Sequence, residues 1–198
     1  MSNWQEASDP ECMRAVATGD EEAFSELVER YQHIVYGTCY RLLGSYHAEA
    51  EDVAQMVFIK VFKAAGRYRA TALFKTWLMT IVRNTVFTHV RKMKRSRDRQ
   101  VDWHNPEEPD REPDFPDESA TSADSDLEQG ELLRCLEKAM GELPENQRLA
   151  LVLRQYEQMS YDEIASAMST SVSSVKSLIF RARDQLRATV RKYRGENE

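Results

Sequence analysis

Residues 160–193 read SYDEIASAMSTSVSSVKSLIFRARDQLRATVRKY, and this stretch decides the fold. Ser160 followed three residues later by Glu163 is a capping box, in which each residue's side chain accepts from the other's free backbone N–H. It opens a short helix, Tyr161 to Met168, which stops at the polar break Ser169-Thr170-Ser171. A longer helix over about Val172 to Tyr193 follows. Ile164, Ala165 and Met168 of the first helix match Val172, Val175 and Ile179 of the second, so the two pack as a helix-turn-helix. The outer face shows Ser173, Ser174, Lys176 and Ser177, with Phe180, Arg181 and Arg183 further on. Small hydroxyls permit close approach to a major groove, while Lys and Arg reach guanine edges and phosphates. A helical hairpin with a solvated basic face is the plain alternative, and this pattern alone leaves it open. Ser169 stands where many such turns place Gly for a left-handed backbone.

Working outward, the segment before this pair is also helical. Pro144 precedes a helix over Glu145 to Glu157, as proline suits a first turn. Leu127 to Met140 is amphipathic through Leu132, Leu133, Leu136 and Met140. Near the other end, Asp20 caps a helix reaching about Leu43, with Phe24, Leu27, Val28, Tyr31, Val35 and Leu42 at three- and four-residue spacing and Gly44 beyond it. A second helix runs from about His47 to Ala65, with Glu49, Glu51 and Asp52 where the helix dipole favours acids. After the loop Arg67 to Ala72, a third carries Phe74, Trp77, Leu78, Ile81, Val82, Val86 and Val90 on one face. A short helix near Glu11 to Thr18 packs in front. With only 7 Gly and 6 Pro in 198 residues, a turn-rich β-sandwich or barrel is excluded.

Between the two helical parts lies a segment of different composition. Val101 to Asp126 holds four of the six prolines, many acids and almost no aliphatic residues. It cannot bury enough apolar surface to offset its ordering entropy. The expectation is an all-α chain of two small domains, 1–99 and 128–198, joined by a disordered acidic linker over 100–127. As a coil of about 30 residues it would span roughly 30 Å, which lets the domains move independently.

The charge is unevenly placed. The chain totals −6, but residues 100–131 carry 12 acids against 1 base, residues 91–99 carry 6 bases against 1 acid, and residues 176–194 carry 7 against 1. Without the acidic stretch the protein is basic, which suits a nucleic-acid partner. Residues 67–99 interleave Tyr68, Phe74, Trp77 and Phe87 with Arg67, Arg69, Lys75, Arg83, Asn84, Arg91, Lys92, Lys94 and Arg95. Bases stack on such rings and the cations neutralise phosphates. The aromatics taken alone fit a core equally well.

Catalysis finds no support in the residues. The four histidines stand apart from Cys12, Cys39 and Cys135, and no G-x-S-x-G, H-E-x-x-H or phosphate loop occurs. Neither a metal nor another cofactor is expected. Three widely spaced cysteines suit a reducing compartment. No apolar run approaches the roughly 18 residues of a membrane span, and Met1 to Pro10 does not read as a signal peptide. A cytoplasmic protein without membrane insertion is expected.

Four blocks, in order, resemble a known family. They are GDEEAFSELVERYQHIVYGTCYRLLG (19–44), AEAEDVAQMVFIKVFKA (48–64), RYRATALFKTWLMTIVRNTVFTHVRK (67–92) and LPENQRLALVLRQYEQMSYDEIASAMSTSVSSVKSLIFRARDQLR (143–187). They resemble bacterial RNA polymerase sigma factors of the extracytoplasmic-function (ECF) group, with a sigma-2 domain before the linker and a sigma-4 domain after it. The resemblance implies a non-enzymatic initiation factor that binds core RNA polymerase, through its clamp helices and flap, and directs it to promoters. It implies that Asp52, Gln55, Phe58 and Lys60 lie on the polymerase-binding helix. Tyr68, Arg69, Thr71, Lys75 and Trp77 are implied at the loop that captures a flipped base of the melted minus-ten element. Arg83, Asn84 and Arg91 are implied near its backbone. Ser173, Lys176, Ser177, Phe180 and Arg181 are implied at the double-stranded minus-thirty-five element. An anti-sigma factor is the implied regulatory partner, and the acidic linker is implied to thread polymerase channels.

Overall fold

The computed structural model describes residues 4–101 and 123–195; the centre of the expected linker, residues 102–122, lies outside the described residues. Among the described residues all regular structure is helical, as expected. The N-terminal domain holds α1 (Asp9–Ala17), α2 (Glu21–Leu43), α3 (Ala50–Ala64) and α4 (Phe74–Val101). The C-terminal domain holds α5 (Ala123–Glu142), α6 (Glu145–Gln155), α7 (Tyr161–Met168) and α8 (Val172–Tyr193).

Local chemistry explains where these helices begin. The Asp20 carboxylate accepts from the Ala23 amide at 2.9 Å and starts α2. Two capping boxes, Ser8 with Glu11 and Ser160 with Glu163, start α1 and α7. The hydrogen bonds from Ser8 and Ser160 hold the Glu11 and Glu163 carboxyls below their usual range. One expectation shifts by a turn: residues Gly44–Glu49 form 3-10 turns and the α-helix begins only at Ala50.

The helical periodicity of each segment becomes one buried face. In the N-terminal domain, Leu27, Val35 and Leu42 of α2 meet Val53, Val57 and Val61 of α3 and Leu78, Val82 and Val86 of α4. Each large side chain removed from water contributes about 1.5–3 kcal/mol. Arg30 ties α1 to this bundle: it pairs with Asp9 at 2.9 Å and Glu26 at 2.7 Å and donates to the Trp4 carbonyl at 2.7 Å. In the C-terminal domain Leu149, Val152 and Leu153 of α6 pack with Ile164 of α7 and with Val175 and Ile179 of α8.

The turn between α7 and α8 confirms a geometric need legible in the sequence. Ser169 caps α7 at φ 54°, ψ 49°, the left-handed region. A side chain there costs roughly 1–2 kcal/mol, against roughly 0.5–1 kcal/mol for the extra unfolded-state entropy of glycine. Ser169→Gly is therefore expected to stabilise the fold by about 0.5–1 kcal/mol, read as a higher urea midpoint at unchanged slope. A lower midpoint would show that the serine contributes a contact that outweighs the strain.

Independent motion of the two domains is the expectation from the linker composition; in the structure the two domains are in contact. The helix-turn-helix domain packs against α2 and α4, and the buried side chains of both parts form one continuous cluster. Gly44 sits at φ +58°, where an added Cβ would lie 2.7 Å from the Arg148 guanidinium, so the backbone ending α2 lets α6 come this close. Arg148 is buried and donates to the Gly141 carbonyl at 2.8 Å. Burial pulls its pKa below the ordinary guanidinium value.

A three-part candidate nucleic-acid and polymerase interface

The helix-turn-helix presents the first surface. Ser171 caps α8, accepting from the Ser174 amide at 3.2 Å. Val175, Ile179 and Ala182 turn inward, which forces the residues between them outward. Ser173, Lys176, Ser177, Phe180 and Arg181 are all exposed on α8. Phe180 is 68% exposed, a large aromatic left in water beside two cations. Lys176 lies 5.7 Å over the Tyr161 ring of α7, which steadies its long side chain at the near edge. Further along, Arg183, Arg187, Arg191 and Arg194 follow one another at three- and four-residue spacing around a groove with Leu186 and Val190.

The second surface is the loop before α4. Tyr68, Phe74 and Trp77 form one cluster of rings, with Tyr68 and Trp77 edge to face at 4.9 Å and Phe74 and Trp77 at 5.6 Å. Phe74 is core, at 4% exposed, and packs on Tyr31 at 5.1 Å. Tyr68 and Trp77 remain half-buried at the edge. Burial raises the Tyr68 phenol pKa, and burial with the Asp9 carboxylate raises that of Tyr31. Both phenols stay neutral at physiological pH. The loop itself stands clear, with Arg69 and Thr71 exposed and Leu73 at 66% exposed. A cleft of about 620 Å³ opens between residues 70–74 and Ser8, Asp9, Pro10 and Arg30.

The polar side chains implied for this region divide into two groups. Arg69, Asn84 and Arg91 are exposed. Lys75 and Arg83 are engaged by the C-terminal domain: Lys75 pairs with Glu157 at 3.0 Å, and Arg83 donates to the Ala167 carbonyl at 2.9 Å.

The third surface is the outer side of α3. Asp52 and Gln55 are exposed there, joined by Ile59 at 52% and Phe62 at 44%. Phe58 is half-buried against the core, and Lys60 turns sideways to donate to the Thr85 hydroxyl at 3.0 Å. Periodicity favours the core for Ile59 and Phe62 over a face for a partner, and the structure leaves both in water. Their signal was a helix apolar nearly all round, which one neighbouring layer cannot bury completely. Phe62 is braced by Phe24, edge-on at 5.1 Å.

Among the described residues no group of three or more His, Cys, Asp or Glu side chains could hold a metal ion. Burial pushes the Cys39 thiol pKa up to about 12, which leaves it inert as a nucleophile. Among the described residues no helix is long and apolar enough to cross a membrane.

A helical bundle followed by a helix-turn-helix, with cationic and aromatic side chains on both, defines a protein that works on nucleic acid. The comparisons make the family specific. The Sigma-70 region 2 family matches residues 27–96, and the Sigma-70, region 4 family matches residues 133–186. The RNA polymerase sigma-H factor of Pseudomonas aeruginosa is 36% identical over 179 residues, covering 90% of this chain and 91% of that protein. The ECF RNA polymerase sigma-E factor of Escherichia coli (strain K12) is 33% identical over 187 residues, covering 92% and 94%. The fold matches CnrH in complex with the cytosolic domain of CnrY, with a TM-score of 0.62 at 23% identity over 92% of this chain and 96% of that one. It also matches the sigma factor RpoE in complex with the anti-sigma factor NepR from Bartonella quintana, with a TM-score of 0.67 at 23% identity over 85% and 96%. The chain belongs to the ECF RNA polymerase sigma factors, and it is a promoter-directing factor for transcription initiation.

Proposed function

We propose that this sigma factor divides its work among the three surfaces, acting by binding and not by catalysis, in the cytoplasm. The outer side of α3, with Asp52, Gln55 and Ile59, docks on core RNA polymerase. The loop and helix with Tyr68, Arg69, Thr71, Lys75, Trp77, Arg83, Asn84 and Arg91 take the melted minus-ten strand. Ser173, Lys176, Ser177, Phe180 and Arg181 read duplex DNA at minus thirty-five. The domain limits expected from the sequence, 1–99 and 128–198, go with this division, as does an anti-sigma factor covering these faces.

The observation that carries the reading is Phe180, 68% exposed between Ser177 and Arg181 and opposite the buried Val175, Ile179 and Ala182 of the same helix. An aromatic ring held in water next to cations offers an apolar contact to a thymine methyl while the cations reach base edges and phosphates. Flipping bases from the stack costs a few kcal/mol, and stacking on Tyr68 or Trp77 returns about 1–3 kcal/mol per base. Transcription with purified core polymerase on a random promoter library tests the whole reading. Discrete selected promoters are expected; transcripts without sequence selection would overturn it. On a selected promoter, Lys176→Ala and Arg181→Ala should each weaken duplex binding by about 1–3 kcal/mol if they read guanine. If they only neutralise phosphates, the loss is equal on all sequences and the salt slope falls by about one. Unchanged affinity in both variants removes α8 from DNA reading.

A further inference from the structure

We propose that Glu157 is a latch that holds the free chain shut, occupying through the helix-turn-helix domain the cations that the minus-ten strand needs. The inference rests on the proposed role of Lys75 and Arg83 at DNA and adds a state in which that role is blocked.

Glu157 lies on the turn between α6 and α7, with its side chain only 7% exposed. Both partners of its carboxylate lie in the other domain. The Thr38 hydroxyl of α2 donates to one oxygen at 3.1 Å, and the Lys75 ammonium of α4 pairs with the other at 3.0 Å. Lys75 also donates to the Glu157 backbone carbonyl at 2.8 Å. A carboxylate kept from water needs such pairing, and here the pairing exists only while the domains are together. Next to it, the Arg41 guanidinium of α2 lies 4.1 Å over the Tyr156 ring.

A second contact repeats the pattern. Arg83 donates to the carbonyl of Ala167 at 2.9 Å. Ala167 is in the last turn of α7, where unpaired carbonyls carry the negative end of the helix dipole. The acceptors on Lys75 and Arg83 are therefore one carboxylate and two partly negative backbone carbonyls, oxygens that take up the same N–H donors a phosphate oxygen would. DNA and the closed state compete for the same donors.

The physics of such a pair makes it releasable. A buried ion pair gains little net stability, because attraction is offset by lost hydration. Separating the domains rehydrates Glu157 and Lys75 together, so opening strands no charge in an apolar place. A competitor that binds only the open state sees its affinity reduced by the fraction of chains that are open. Closure of about nine chains in ten would weaken binding about tenfold.

The test uses the full chain without polymerase. The probe is a fluorescently labelled single-stranded DNA of mixed sequence, read by anisotropy, with the radius of gyration from small-angle scattering as a second readout. Glu157→Gln keeps the shape and removes the charge. It is expected to bind the strand about tenfold more tightly and to show a larger radius. Thr38→Val removes only the hydroxyl and should move both readouts the same way by less; it decides the matter if circular dichroism shows Glu157→Gln misfolded. Unchanged affinity and radius in both variants overturn the latch, and so does tighter binding at an unchanged radius. Transcription with saturating core polymerase separates this from the proposed function. Equal yield from wild type and Glu157→Gln is expected, since the polymerase-bound chain is open; lower yield would make Glu157 part of the working complex and overturn the latch. Absence of transcripts from both would count against the proposed function itself.

Discussion

Ile59→Asp will weaken binding to core RNA polymerase by about 2–4 kcal/mol, a loss of roughly 30- to 700-fold, while leaving the fold intact. Ile59 is 52% exposed in the middle of the outer side of α3, between Gln55 and Phe62. Central apolar side chains that become fully dry on association carry most of an interface's energy. A carboxylate there must be desolvated without a partner, which adds to the loss of apolar area. In the free chain the same residue faces water, so its replacement should change stability by less than about 0.5 kcal/mol. Titration of core polymerase with labelled sigma factor gives the affinity, and urea unfolding gives the control. Native affinity with Asp at 59 would move the polymerase contact off this side of α3.

Leu78→Ala should cost about 2–5 kcal/mol of stability through lost transfer energy and the cavity left behind. Leu78 is 0% exposed on α4, within the cluster that joins α2, α3 and α4. Nearby Met79, Val82 and Val86 are likewise buried, so little can collapse inward to fill the space. Against a total of about 5–15 kcal/mol for a domain, such a loss brings much of the population to the edge of unfolding. Phe74 sits one turn earlier on the same helix and Trp77 directly precedes Leu78, and the loop with Arg69 and Thr71 leads into them. Loss of minus-ten strand binding should therefore follow the fraction unfolded, measured by urea titration at the assay temperature. A cost below 1 kcal/mol would mean that α4 is not central to the bundle.

These two residues show different degrees of legibility. Leu78 was placed on the buried face by spacing alone, since Phe74, Leu78, Ile81 and Val82 recur at the helical period and only one face of α4 is apolar. Ile59 could not be placed that way. Its helix carries apolar residues on every side, so periodicity names no outer face, and only the neighbours α2 and α4 decide which side chains stay in water.

What the sequence determined by itself was what local chemistry settles. Helix starts at Asp20 and Ser160 need one side chain and a backbone amide three residues away, and the left-handed turn at Ser169 needs only its own two dihedral angles. The helix-turn-helix follows from such signals plus one apolar stripe. The closed packing of the two domains is of another kind. It depends on Glu157 meeting Lys75 and Thr38, which stand 82 and 119 residues away along the chain. No period or capping rule links polar residues at such distances, because each is equally content in water. Only the docking of α6 and α7 on α2 and α4 brings them together, excludes the solvent, and turns three ordinary surface residues into one contact.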